Sequence, residues 1–216
     1  MSLNVSLQPK STTAAVIADA LRSAILQGTL KSNQPLRQDD LASQFGVSKI
    51  PLREALVQLQ SEGLVTIQPS RGAIVSALSP AEADEIYTMR IALETVVLRK
   101  AIPNLVSADF IKANSILQLI DTVETPLDWA KLNWEFHSIL YTPANMPLLL
   151  NTLRILSINV ARYFVIYQAL AYRDHSQAEH RNLLAACKAG DSNLACTHLE
   201  NHLSAAAKKM AVYLTN

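Results

Sequence analysis

Between Gly72 and the chain end at Asn216 there is a single glycine, Gly190. Glycine is the usual residue where backbone must turn through left-handed conformations, and inside a helix it costs about 0.5–1 kcal/mol relative to alanine. A stretch this long with one glycine is suited to long helices. Its prolines, Pro80, Pro103, Pro126, Pro143 and Pro147, are spaced as punctuation between helices. The other four glycines, Gly28, Gly46, Gly63 and Gly72, crowd into the first third, which therefore reads as turn-rich. The spacing predicts a mainly α chain in three parts: a loose tail over 1–10, a small domain over 11–76 and a helical domain over 80–216.

Composition excludes several classes. Half the residues are hydrophobic and 17% are charged, so the chain can bury a core and is not disordered. A net charge of +1 argues against a broad polyelectrolyte binder and leaves room for a local basic face. Two cysteines, Cys187 and Cys196, make no disulfide framework and suit a reducing compartment. The most apolar stretch, Leu148 to Tyr167, carries Arg154 and Arg162 and is too polar for a membrane span. The N-terminus lacks a charged start followed by an apolar block. These features together predict a cytoplasmic protein.

In the small domain, Val16, Ile17, Leu21, Ala24 and Ile25 recur at helical spacing from about Thr13, and Gly28 stops that helix. Leu30–Arg37 reads as a connector. A short helix over Gln38–Gln44 follows, then a tight turn at Phe45-Gly46-Val47-Ser48. Ser48 can cap a longer helix with Pro51 in its first turn. That helix ends at Glu62-Gly63. The apolar runs Leu64–Ile67 and Ala73–Val75 flank a turn with Pro69 and Gly72, the pattern of a β-hairpin. Helix, short helix, turn, longer helix, hairpin is the order of a winged helix-turn-helix. The second helix of the pair would enter the major groove with Ser48, Lys49, Pro51 and Arg53 foremost. Arg71 and Gly72 would touch DNA from the wing, and Arg37 and Gln38 would reach phosphates. Seven Lys/Arg against five Asp/Glu in residues 1–75 is a weak electrostatic signal, so the order of elements carries this reading.

The helical domain should hold six helices, at about 80–101, 107–122, 127–141, 146–170, 177–189 and 191–214, as an antiparallel bundle, with a break near Asp174. Polar groups stand on its apolar stripes. His180 is in phase with Leu183, Leu184 and Cys187. His202 lies on the stripe of Leu199, Leu203 and Ala206, whereas His198 lies on its flank. Asn133 and His137 are one turn apart beside Phe136 and Leu140. A buried imidazole is either a hydrogen-bonded core group or a ligand. Three converging from three helices would suit Zn²⁺ or Ni²⁺. Arg90 falls within a stripe of Ile86, Met89, Leu93 and Val97, one turn before Glu94. It is either half of a local ion pair or a guanidinium ready to hold a carboxylate. Asn159 and Arg162 are further cavity candidates.

The stretch from Asp40 to Leu56, DLASQFGVSKIPLREAL, resembles the DNA-binding core of the GntR family of bacterial transcription regulators, and Gly63-Leu64, Pro69 and Arg71-Gly72 resemble its wing. That resemblance places the DNA contacts at Ser48, Lys49, Pro51 and Arg53. Many members carry a basic residue where this chain has Gln38-Asp39. Met89–Glu94, Asn133–Leu140, Glu179–Arg181 and Asn201–Leu203 resemble the helical ligand-binding domain of the FadR subgroup. The subgroup's Asp-His-His-His metal set falls on Asn133, His137, His180 and His202, with an amide in the aspartate's place. Two identical heads related by a two-fold axis would read an inverted-repeat operator in double-stranded DNA as a homodimer, and the resemblance implies sensing of a small organic acid. The alternative from another class is a metal-dependent hydrolytic enzyme in the bundle. Against it, no carboxylate is placed as an obvious general base.

Overall fold

In the computed structural model the chain forms two compact units. One holds the chain up to Ile25 together with Thr29–Ser76, and the other holds Leu26–Gly28 with the chain from Ala77 onward. The structure describes residues 12–68, 72–77, 79–166 and 170–215. The tail at 1–10 and Arg71 lie outside them.

The first unit begins with α1 (Thr13–Leu26), which buries Ile17, Ala18, Leu21 and Ile25. Helices α2 (Gln38–Phe45) and α3 (Lys49–Ser61) are joined at Gly46, whose φ of 64° is left-handed. Gly46 N–H donates to Ser43 O and Val47 N–H to Ala42 O, closing α2. Helix α3 buries Leu52, Ala55, Leu56 and Leu59, one contiguous face at 3.6-residue spacing. Strands β2 (Val65–Gln68) and β3 (Gly72–Val75) pair antiparallel, with Val65 opposite Val75 and Gln68 opposite Gly72. Within the segment expected as a connector, β1 (Pro35–Leu36) pairs on the other edge of β3. Two residues carry no alternation to read. Pro35, with no N–H to donate, is tolerated on an edge strand, and Leu36 is buried. Arg22 clamps α1 to the end of α3. Its Nε and Nη2 donate to the two oxygens of buried Glu62 at 2.7 and 2.6 Å. The Glu62 hydrogen bond holds the Arg22 pKa above its ordinary value against the burial that would lower it.

The second unit contains α4 (Pro80–Ala101), α5 (Ser107–Thr122), α6 (Pro126–Tyr141), α7 (Pro147–Ile166), α8 (Leu170–Lys188) and α9 (Ser192–Thr215). Short 3₁₀ turns at Ile102–Asn104 and Thr142–Ala144 follow α4 and α6. Pro80, Pro126 and Pro147 each open a helix, where a missing N–H costs little. Ser79 Oγ accepts from Glu82 N–H at 3.0 Å and Thr125 Oγ1 from Asp128 N–H at 3.1 Å, capping α4 and α6. The break expected at Asp174 is absent, because α8 begins at Leu170 and runs helically through it. No glycine or proline stands there to stop a helix, and an aspartate costs only tenths of a kcal/mol, about 0.7 at most, relative to alanine.

Helix α4 packs on α6, α7 and α9, α5 on α6 and α8, and α8 on α9. The shared core includes Tyr87, Leu98, Phe136, Leu140, Tyr141, Leu153, Leu199 and Leu203. Each such side chain contributes roughly 1.5–3 kcal/mol by leaving water. The buried face of α4 is Ala83, Ile86, Tyr87, Arg90, Glu94, Val97, Leu98 and Ala101. Met89, expected on it, is exposed. A charged pair therefore sits in the middle of the best-packed helix of the bundle.

Candidate functional site

At the head of α3, Ser48, Lys49 and Arg53 are exposed, and so is Arg37 at the head of α2. Ser48 occupies the cap position, yet its side chain makes no capping hydrogen bond, contrary to expectation. The two basic side chains are held across the turn. Lys49 Nζ lies 2.5 Å from Asp39 Oδ1, and Arg53 Nε donates to Gln38 Oε1 at 3.1 Å. Gly72, beside the hairpin turn of the wing with φ of 73°, shares one depression with Arg37, Gln38, Asp39 and Lys49. Residues from α2, α3 and β3 thus form one face. An exposed ion pair such as Lys49–Asp39 contributes about 1 kcal/mol or less, so an incoming phosphate can displace it.

In the second unit, His137 on α6, His180 on α8 and His202 on α9 converge in the core. They are 1%, 0% and 5% exposed, and their ligating atoms lie within 4.8 Å of one another. Ring centroids are 5.1 Å apart for His137–His180, 5.4 Å for His137–His202 and 4.6 Å for His180–His202. Phe136 walls the cluster, 4.7 Å from His180. The Nδ1 atom of each imidazole has a partner. His137 Nδ1 is 3.1 Å from Tyr141 Oη, His180 Nδ1 3.1 Å from Gln177 Oε1, and His202 Nδ1 2.8 Å from Glu179 Oε2.

These partners fix where the protons are. The Gln177 Nε2 group donates to Leu117 O and Asp121 Oδ1, so its Oε1 faces His180 and can only accept. The Glu179 carboxylate accepts from His202. Tyr141 donates its hydroxyl proton to Glu94 Oε2 at 2.6 Å, so its oxygen accepts from His137. His137 and His180 therefore carry their protons on Nδ1 and leave Nε2 unprotonated, while His202 donates from Nδ1 to Glu179. Among the described residues, His137 Nε2 and His180 Nε2 are buried without a hydrogen-bond partner, and so is Asn133 Oδ1, one turn before His137. Burial, then the neighbouring His202, holds His137 and His180 well below the usual histidine pKa, so both are neutral at pH 7. Three imidazoles converging in the core, each oriented by an outer partner, fit a divalent cation. The cluster can hold a metal ion.

Residues 85–205 match the FCD domain family, and residues 13–75 match the bacterial regulatory proteins of the gntR family. An HTH-type transcriptional regulator of Agrobacterium vitis is 33% identical over 130 residues, 56% of this chain and 74% of the relative. The protein is a GntR-family transcription regulator of the FadR/FCD subgroup. McbR of Escherichia coli, an HTH-type transcriptional regulator, is 28% identical over 189 residues, 84% of this chain and 85% of its own. The solved structure of E. coli McbR/YncC superposes over 96% of this chain and all of its own with a TM-score of 0.77, at 23% identity, which shows the shared fold. The relatives are named as regulators and not as enzymes, which sets aside the hydrolytic alternative.

Arg90 in this regulator takes the first of its two expected states. Its Nε donates to Glu94 Oε1 at 2.7 Å, both residues are buried, and its guanidinium lies 5.3 Å from the Tyr87 ring centre. Among the described residues the terminal amino groups make no hydrogen bond, so the guanidinium retains a donor edge. Arg162 and Asn159 stand in a different set. Both are buried on α7, and Arg162 Nη1 is 3.3 Å from Asn159 Oδ1. Burial lowers the Arg162 pKa while nearby Glu82 opposes that shift. Tyr163 donates to Ser79 O and Glu82 Oε2, both at 3.2 Å, at the start of α4. Of the outer partners, Tyr141 and Gln177 have no sequence signal, whereas Glu94 is placed by sequence as Arg90's neighbour and Glu179 within the Glu179–Arg181 motif, neither as a partner of Tyr141 or His202. The Glu94–Arg90 pair was open to an i, i+4 reading, but Tyr141 meets Glu94 across 47 positions, which no spacing rule reaches. Both described cysteines are buried free thiols, and burial pushes Cys187 up to about 12. Among the described residues no helix is long and apolar enough to cross a membrane.

Proposed function

We propose that this regulator binds an inverted-repeat operator as a homodimer and changes its affinity when a small carboxylate enters a metal-containing FCD domain. Two identical heads related by a two-fold axis require symmetric half-sites. Arg37, Gln38, Ser48, Lys49, Pro51, Arg53, Arg71 and Gly72 contact the DNA, with Lys49 and Arg53 on phosphates or guanine edges. His137, His180 and His202 hold a divalent cation, Zn²⁺ or Ni²⁺, and Asn133 supplies a neutral oxygen donor. A bound cation supplies a Lewis-acidic position for an oxygen anion. Four neutral donors leave its charge nearly whole inside an apolar bundle, which favours an anionic ligand there. Arg90, through its unused donor edge, orients the carboxylate, with Arg162 and Asn159 as more distant cavity residues.

One observation carries this reading: three buried imidazoles bring their ligating atoms within 4.8 Å of one another, and His137 Nε2 and His180 Nε2 have no hydrogen-bond partner among the described residues. The test joins metal content to DNA binding. The purified protein should contain or take up Zn²⁺ or Ni²⁺ by elemental analysis. His180→Ala or His202→Ala should abolish uptake, and His198→Ala should not. Gel shifts on DNA flanking the protein's own gene, with and without mono-, di- and tricarboxylic acids, should show acid-dependent binding. Absence of metal from every form would return the histidines to the role of core residues.

A further inference from the structure

Glu94 connects Arg90 to His137. One carboxylate oxygen accepts from Arg90 Nε at 2.7 Å, the other from the Tyr141 hydroxyl at 2.6 Å, and the Tyr141 oxygen lies 3.1 Å from His137 Nδ1. Arg90, Glu94, Tyr141 and His137 are 5%, 2%, 0% and 1% exposed, so the series runs through the core. A carboxylate paired with a guanidinium only accepts hydrogen bonds. The single Tyr141 proton is therefore committed to Glu94, and the hydroxyl can offer His137 only a lone pair. Burial, with Glu94 adding to it, raises the Tyr141 pKa well above its ordinary value and keeps that proton in place.

We propose that Tyr141 and Glu94 are positioning residues for His137, holding it in the Nδ1-protonated form that leaves Nε2 free to bind a metal, and that Arg90 belongs to the same hydrogen-bonded unit. The inference rests on the metal reading above and goes beyond it. It makes the guanidinium proposed for the effector and the metal's ligand parts of one hydrogen-bonded network. The link is directional in its chemistry. Replacing the Glu94 oxygen that faces Tyr141 by an N–H would set donor against donor. The Tyr141 hydroxyl would then turn its proton toward His137 Nδ1, and the ring would hold its own proton on Nε2, where it blocks ligation.

The substitution Glu94→Gln makes that change at constant volume. Arg90 Nε still requires an acceptor, so the introduced amide presents its oxygen to Arg90 and its NH₂ to Tyr141. Tyr141→Phe removes the acceptor without supplying a donor. Both variants and the wild type, as full-length protein, are titrated with Zn²⁺ against a competing chelating dye. The ring ¹⁵N shifts of His137 are recorded without metal, and circular dichroism checks the fold. Wild type should show His137 protonated on Nδ1. Tyr141→Phe should show a mixture of tautomers and bind Zn²⁺ roughly 10-fold to 100-fold more weakly, the usual loss for an outer partner of a metal-bound histidine. Glu94→Gln should show the Nε2-protonated form and a loss at least as large. His180 and His202 shifts should stay in place. Wild-type His137 protonated on Nε2, or unchanged tautomer and Zn²⁺ affinity in both variants, would overturn the assignment. A wild type that takes up no Zn²⁺ would overturn the metal reading itself and this inference with it, an outcome distinct from the other two.

Discussion

Asn133 shows how much one atom decides. It is buried, its Oδ1 has no hydrogen-bond partner, and it sits one turn from His137. Asn133→Asp would add an anionic donor beside the three imidazoles. In the metal-free protein that carboxylate would be a buried charge without a partner, which is destabilising. With Zn²⁺ present, every tenfold gain in affinity adds about 1.4 kcal/mol of stability at saturation. The variant should therefore melt below wild type without metal and show a larger Zn²⁺-induced rise in Tm. Equal shifts in both proteins would place Asn133 outside the ligand set. On the DNA face, Arg53→Ala should cost roughly 1–3 kcal/mol of operator affinity if Arg53 reads a base edge. Asp39→Asn should act in the opposite direction, because Asp39 now holds Lys49 at 2.5 Å and competes with phosphate for it. Titrations at two salt concentrations check both, and unchanged binding in Arg53→Ala and Lys49→Ala together would remove α3 from the groove.

At the scale of elements, legibility followed local chemistry. Helix starts at Pro80, Pro126 and Pro147 were readable within a residue, since proline opens a helix for local reasons. The Gly46 turn was readable for the same reason. The two-residue β1 was not, because only pairing with β3 makes it a strand. Asp174 misled as a break because its weak helix propensity is overridden by the helix around it. The three histidines could be placed on apolar stripes from phase alone, whereas their Nδ1 partners depend on how α4, α6, α8 and α9 pack. That packing has a titration signature. His137 and His180 are held neutral by burial, so their folded-state pKa values lie below the unfolded value of about 6.5. Below that pH the unfolded chain binds protons that the native bundle excludes. Their contribution is therefore fully present above about pH 6.5 and is lost as pH falls toward the folded values. With metal removed by chelator, unfolding free energies from urea titrations should drop from pH 7 to pH 5, by up to about 1.4 kcal/mol per pH unit for each histidine. His180→Gln should flatten that slope, and an equal slope in the variant would show that other groups carry it.

For the molecule as a whole, the function requires that a ligand in one unit alter the DNA affinity of the other. A ligand does this only by binding two arrangements of the protein with different affinities, and the coupling is reciprocal. Typical couplings of about 1–3 kcal/mol correspond to roughly 5-fold to 150-fold in affinity. Operator DNA must then change the affinity for the carboxylate by the same factor as the carboxylate changes the affinity for DNA. The pocket assignment is tested first, by a thermal-shift screen of mono-, di- and tricarboxylic acids on Zn²⁺-loaded wild type, Arg90→Ala and His180→Ala. Stabilisation should appear in wild type and diminish in both variants, since one loses the guanidinium and the other the metal. Arg90→Ala also leaves Glu94 buried without its cation, so its baseline Tm should fall, and the shift is read against that baseline. Stabilisation that persists unchanged in both variants would place the acid elsewhere. With the active acid identified, its affinity is measured with and without a saturating operator duplex. Equal affinities would mean that occupancy of the helical domain does not reach the DNA-binding heads.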